Sequence, residues 1–199
     1  MRIMNKKQVL QNEKFVVNEI LTGKIFIYPT DTIYGIGCDA TNNESVKRIR
    51  EIKQRESKPF SVIAPNKQWI KDNCVISQIA EQWIKKLPGP CTLILKLKNK
   101  SAVSEAVTPT DTIGVRIPDN WFSEIIKKTG IPFITTSVNI SGEPHIAKIE
   151  ELEDKIKNQV DYIIEDGVLN NPPSTIIDLT SKEEIVINRQ PFNKFNTKD

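Results

Sequence analysis

At 199 residues the chain has the length of one domain with a substantial core, and its 28 Lys and Arg residues nearly balance 25 Asp and Glu. The net charge of +3 is too small to argue for a polyanionic partner, although a local basic surface is compatible with it. The start, Met1-Arg2-Ile3-Met4-Asn5-Lys6-Lys7, lacks the apolar stretch and small-residue cleavage site of a secretory signal, and no apolar run reaches membrane-spanning length, so a cytoplasmic protein is expected. Cys38, Cys74 and Cys91 are odd in number and far apart, and with the single His145 they cannot build a usual zinc site; reduced, mostly buried thiols are expected.

Residues 7–21 carry Leu10, Phe15, Val17, Ile20 and Leu21 in a loose helical pattern closed by Gly23. Lys24-Ile25-Phe26-Ile27-Tyr28 is short, β-branched and aromatic, and Pro29 stops it, as in a buried strand. A helix is predicted over 43–52, with Val46, Ile49 and Ile52 on one side, and a strand over 60–64. Ile79, Trp83 and Leu87 repeat at helical spacing until Pro88-Gly89-Pro90 turns the chain into a strand over 91–97. Strand, helix and strand follow at 112–117, 121–128 and 132–136. After a helix at 149–156 come strand-like runs at 162–164, 175–179 and 184–187, some of which can pair antiparallel. Alternating apolar strands and amphipathic helices indicate an α/β fold with a largely buried sheet. One domain is expected over 1–192, with the polar residues 193–199 as a loose carboxy-terminal tail.

Candidate chemistry lies in polar residues two apart at the ends of apolar strands, because in extended chain positions i and i+2 point the same way. Thr30 and Thr32 share a side if the chain stays extended after Tyr28. They either grip a polar ligand or cap the next turn, and Asp31 either assists proton transfer, orients a neighbour or caps that turn. Gly35-Ile36-Gly37 lacks the third glycine of a dinucleotide fingerprint, and no Gly-Lys-Ser/Thr follows. Lys53 and Arg55 converge if extended, and with Lys58 suit a triphosphate or carboxylate; the alternative is a solvated helix end whose cations complement the dipole.

In Thr112-Ile113-Gly114-Val115-Arg116-Ile117, Thr112, Gly114 and Arg116 share a face, and the glycine lets a ligand approach the backbone. Arg116 is a ligand candidate or half of an ion pair across the sheet. Ser137, Asn139 and Ser141 can line one side where a strand opens into a loop, the usual ligand position of open α/β sheets, or can cap a turn. Ser174 stands at the mouth of another strand and Arg189 adds a cation. His145, in a turn-like stretch, is assigned a surface or packing role.

The blocks at 28–37, 53–59, 88–92, 112–118, 137–142 and 174–178, with Arg189, resemble successive blocks of the YrdC/TsaC family across nearly the whole chain. The Pro-Thr-Asp-Thr-x-Tyr-Gly, Lys-x-Arg and Ser-x-Asn-x-Ser-Gly runs carry most of the likeness, which is to the short single-domain form. The resemblance implies a YrdC-like twisted mixed sheet flanked by helices, with a concave ligand-binding surface. It further implies a threonylcarbamoyl-AMP synthase, a nucleotidyltransferase using L-threonine, bicarbonate and ATP for modification of tRNA beside the anticodon. By the same resemblance Thr32, Arg116, Ser137 and Ser174 contact threonine, and Arg55, Lys58, Thr112, Asn139 and Arg189 contact the nucleotide. Lys53 and Arg55 are the catalytic pair. Magnesium arrives mainly through the ATP phosphates, with no protein metal ligands named. The implied partners are a downstream threonylcarbamoyl-transfer complex and tRNA itself, and no membrane.

Three features depart from the family pattern: Glu56 where a proline often stands, a loop to Pro59 one residue short, and Ile63 where some relatives carry a polar ligand. Lys58-Pro59-Phe60-Ser61-Val62 and the 112–119 run resemble the paralogous YciO-like branch. The rival readings are therefore a YciO-like paralogue, or an RNA-binding module with little synthase activity, whose affinity would fall steeply with salt.

Overall fold

The computed structural model describes residues 1–187. Arg189 and the 192/193 domain boundary lie outside them. In chain order the strands are β1 (Arg2–Asn5), β2 (Phe26–Tyr28), β3 (Gly35–Gly37), β4 (Ser61–Ile63), β5 (Cys91–Lys96), β6 (Thr112–Arg116), β7 (Phe133–Ser137), β8 (Tyr162–Glu165), β9 (Thr175–Asp178) and β10 (Ile185–Ile187). The helices are α1 (Lys6–Gln11), α2 (Glu13–Leu21), α3 (Asn43–Lys53), α4 (Lys67–Asn73), α5 (Gln78–Lys86), α6 (Trp121–Thr129) and α7 (Asp154–Lys157).

Local chemistry sets most helix limits. Asn42, Asn66, Ser77 and Asn120 each cap a helix by accepting from the backbone N–H three residues on. Gly130 ends α6 in the left-handed region at φ 72°, while Gln54 ends α3 there at φ 49° without the freedom of glycine. The helix expected over 7–21 is two helices, because the Asn12 N–H closes α1 onto Gln8 and Val9 while the Asn12 carbonyl starts α2 at Val16. The one expected over 149–156 is a 3-10 turn (Ile149–Glu151) followed by α7, with Leu152 between them drawn into the core. β1, β3 and α4 were not expected from the pattern.

The ten strands of the described residues form one mixed sheet in the order β1-β8-β2-β3-β7-β4-β6-β5-β9-β10. β8 runs parallel to β1 and β2, β4 to β6 and β5 to β9; the remaining pairs are antiparallel, β9 with β10 among them. Gly35 and Gly37 are needed for close packing rather than for phosphate. A Cβ on Gly37 would meet the Ile134 carbonyl at 2.0 Å, and one on Gly35 would meet the Tyr28 ring at 3.0 Å.

Alternation along the strands separates two faces. Ile27, Ile36, Val62, Leu93, Val115, Ile134 and Ile177 lie on one, beneath Val46, Ile49 and Ile52 of α3, Ile70 of α4 and Ile84 of α5. On the other, Phe26, Tyr28, Ile63 and Phe133 pack against Val9, Val16, Ile20, Phe122 and Ile126 of α1, α2 and α6. Burial of each large apolar side chain contributes on the order of 1.5–3 kcal/mol. This second cover stops partway across the sheet. One register row reads Phe133, Ile63, Arg116 and the next on the same face reads Thr135, Ser61, Gly114, so β7 and β4 change from apolar to polar within a single step, while β6 already carries the charged Arg116 in the first row. Ile63, expected near ligand, is on the apolar side of that step.

Candidate active site

The polar part of this face forms a small open cavity of about 50 Å³, walled by Thr30, Thr32, Ser61, Thr92, Arg116, Thr135, Ser137 and Ser174 with the Tyr34–Gly35 backbone. Hydroxyls dominate it. Those of Thr92 and Ser174 are 2.9 Å apart and both residues are buried, which fixes the mouth of β9 against β5.

The chain does not stay extended after Tyr28; it turns, and β2 and β3 form an antiparallel pair. The Thr30 hydroxyl organises that turn, donating to the Ile33 carbonyl at 2.7 Å and accepting from the Thr32 and Ile33 amides. Thr30 is therefore a turn residue, yet the turn still brings its oxygen to 3.0 Å from the Thr32 hydroxyl. Asp31 does not cap that turn. Its carboxylate pairs with Arg116, both side chains being buried, and accepts from the Asp119 amide at 3.0 Å. The arginine expected as a ligand group is thus half of an ion pair across the sheet, the other reading of it. One hydrogen-bonding group is left over: the buried Arg116 Nε–H finds no partner among the described residues. An unmet buried donor costs about 1–3 kcal/mol, so an oxygen brought within reach of it would be favoured.

Lys53 and Arg55 part company. Lys53 is 2 % exposed and donates from Nζ to the Ser137 carbonyl (2.6 Å), the Asn139 carbonyl (2.8 Å) and Asn139 Oδ1 (3.1 Å). Burial, then the neighbouring Arg55 charge, push its ammonium down to about 7, while the three acceptors favour the charged form. The left-handed Gln54 sends Arg55 the other way, where its guanidinium lies over Phe60 and donates to the Lys58 and Pro59 carbonyls. Lys58 is exposed on the same loop.

Ser137 lines the cavity, and its hydroxyl lies 2.6 Å from Asn139 Oδ1. Asn139 turns toward a second cavity of about 240 Å³ that also includes Glu143, His145 and Glu151. His145 is half-buried there; burial lowers its pKa and Glu151 opposes that. Ser141 is exposed and does not line the first cavity, although its N–H ties the loop to the Lys53 carbonyl at 3.0 Å.

Of the sequence candidates, Thr32, Arg116, Ser137 and Ser174 come together around one cavity, whereas Arg55, Lys58 and Asn139 sit on two loops beside it. Thr112 shares the sheet face with Arg116 but is not among the lining residues, because it starts β6 and Arg116 ends it; its hydroxyl is 3.0 Å from that of Thr110. The approach expected over Gly114 is filled by Ser61, whose Oγ would lie 2.4 Å from an added Cβ. Ser61, Thr92 and Thr135 were missed. Thr92 stands between Cys91 and Leu93, but Ser61 is followed by Val62 and Ile63 and Thr135 by Thr136 and Ser137, so neither of these two shows the alternation that singled out Arg116.

The sequence matches the Sua5/YciO/YrdC domain family, described as telomere recombination, over residues 18–190. It is 39% identical to a putative threonylcarbamoyl-AMP synthase of Methanocaldococcus jannaschii, covering 92% of this chain and 86% of that one. The fold is similar to Escherichia coli YciO, with a TM-score of 0.82 and 26% identity over 94% of this chain and 95% of that one. It is also similar to P. abyssi Sua5 complexed with L-threonine, with a TM-score of 0.84 and 27% identity over 94% of this chain. The present chain spans 56% of that Sua5.

Proposed function

Since the chain belongs to the Sua5/YciO/YrdC family, we propose that it is an L-threonylcarbamoyladenylate synthase, a nucleotidyltransferase that supplies threonylcarbamoyl-AMP for modification of tRNA next to the anticodon. The observation that carries this reading is the unmet Arg116 Nε–H beside a hydroxyl-lined cavity. A small zwitterion with its own hydroxyl suits such a cavity. The carboxylate of threonine accepts from Arg116, whose charge is held in place by Asp31, and Thr32, Ser137 and Ser174 meet its remaining polar atoms.

Threonine's amine adds to bicarbonate with loss of water, giving a carbamate. The carbamate oxygen then attacks the α-phosphorus of ATP as the bond to pyrophosphate breaks. Arg55, Lys58 and, outside the described residues, Arg189 offset the phosphate charge; Asn139 contacts the nucleotide, as would Thr112 at the far end of β6. No enzyme nucleophile is required, and positioning with charge stabilisation supplies the rate. Lys53 holds the 137–139 loop in shape rather than meeting the reacting atoms. Magnesium enters with ATP as part of the substrate. The described residues contain no group of three or more His, Cys, Asp or Glu suited to a metal, and both oxygens of Asp31 are engaged. No helix among the described residues is long and apolar enough to cross a membrane, and we place the reaction in the cytoplasm, with a threonylcarbamoyl-transfer complex and tRNA downstream.

The test is pyrophosphate release with each component left out in turn. Release is expected only when threonine, bicarbonate, ATP and magnesium are all present. Turnover that ignores threonine, or RNA binding without any turnover, overturns the reading.

A further inference from the structure

Arg50 belongs to α3 but spends its guanidinium on neighbouring loops. Its Nη1 donates to the carbonyls of Arg55 (2.9 Å), Glu56 (3.1 Å) and Lys58 (3.2 Å). Its Nε and Nη2 donate to the carbonyls of Ala106 (2.7 Å) and Val107 (3.3 Å), and its charge lies 4.6 Å from the centre of the Phe60 ring. Arg55 takes a position 5.0 Å from the same ring. Phe60 is in turn fixed by its N–H to the Val107 carbonyl at 2.9 Å.

The loop so held has no regular secondary structure and its residues 56–59 are exposed, so the chain's own ladder does not shape it. Three carbonyls converging on one nitrogen do. In planar trans peptides the N–H points opposite to the preceding carbonyl. With the Arg55 and Glu56 carbonyls turned onto Arg50, the Glu56 and Ser57 amides point away from it, on the loop that carries Arg55 and Lys58. Outward amides between cations favour an anion. A lysine could supply the charge of Arg50 but not a planar fork reaching two segments at once.

We infer that Arg50 is a positioning residue for the nucleotide: by gathering the Arg55, Glu56 and Lys58 carbonyls and anchoring them to residues 106–107, it holds the loop in the shape that receives the triphosphate. This rests on the synthase reading, in which that loop meets ATP.

The experiment uses the full chain as wild type, Arg50→Lys and Arg50→Gln. Magnesium-ATP and threonine binding are measured separately by calorimetry, with deuterium uptake followed at residues 55–60. Both variants are expected to weaken ATP binding on the order of tenfold, with threonine binding within about twofold of wild type and faster exchange confined to the loop. ATP affinity unchanged in both variants overturns the inference, as does full recovery in Arg50→Lys, which would make charge alone sufficient. Threonine binding lost together with ATP in Arg50→Lys also overturns it, because that reports a general prop of the fold. Should Arg50→Gln fail to fold, Arg50→Lys decides by the same criteria. A wild-type chain that binds threonine but no ATP brings down the synthase reading instead, whereas wild-type ATP binding matched by the variants brings down this inference alone.

Discussion

The two halves of the sheet's second face share β4 and β7, and helices cover only one of them. Under α1, α2 and α6, the face carries Phe26, Tyr28, Ile63 and Phe133; beyond that cover it carries Ser61, Arg116, Thr135 and Ser137. Polar side chains left in the covered half would lack partners, and apolar ones in the open half would face water. The boundary between the helices and solvent therefore decides where β4 and β7 change character. It also leaves the strand ends free for the proposed threonine, so core packing and the proposed site occupy neighbouring residues of one strand.

The largest expected effect falls on the boundary itself. Arg116→Ala leaves Asp31 buried without its cation, and a loss of about 3–5 kcal/mol is expected in denaturant unfolding, together with loss of threonine binding. A mild stability change would mean that water reaches Asp31 and that the boundary is not dry. Next, Phe133→Ala in the covered half should cost about 3–5 kcal/mol through cavity formation while the folded fraction still binds threonine. Loss of threonine affinity in that folded fraction would break the separation between the halves.

In the open half and on the loop beside it the balance reverses. Arg55→Ala on that loop and Ser137→Ala in the open half should lower pyrophosphate release by on the order of tenfold or more, while unfolding free energies change by less than about 1 kcal/mol. Equal effects on stability and rate would make the open half a second core. A separate expectation concerns pH and Lys53. Its folded pKa of about 7 lies below the ordinary lysine value of roughly 10.4, so between these limits the unfolded chain binds the additional proton. Stability should therefore rise with pH from about 7 toward 10, and Lys53→Met should flatten the rise. A wild-type profile already flat over that window would mean that the three loop acceptors outweigh desolvation and keep the ammonium charged.

Much of the fold was legible because periodicity is local. Val46, Ile49 and Ile52 spell a helix face, and Ile113, Val115 against Thr112, Gly114, Arg116 spell a two-faced strand. β3 escaped because its two glycines provide no side chains to alternate, and their purpose, room for Tyr28 and for the Ile134 carbonyl, belongs to other strands. The candidate site was legible in part for the same reason: Thr32, Ser137 and Ser174 are polar residues at the limits of apolar strands, although Ser137 closes its strand while Ser174 precedes one, so the strand order and directions were needed to bring them together.

What the sequence alone determined is the order and type of most elements and a set of polar strand-end residues. The tertiary structure decided which of these share a cavity. It paired Asp31 with Arg116, filled the space over Gly114 with Ser61, turned Lys53 inward at the left-handed Gln54 and gave Arg50 a loop to hold. Hydrogen bonds and ion pairs form between whichever groups the packed elements bring within about 3 Å, and residues far apart in sequence carry no local sign of that meeting.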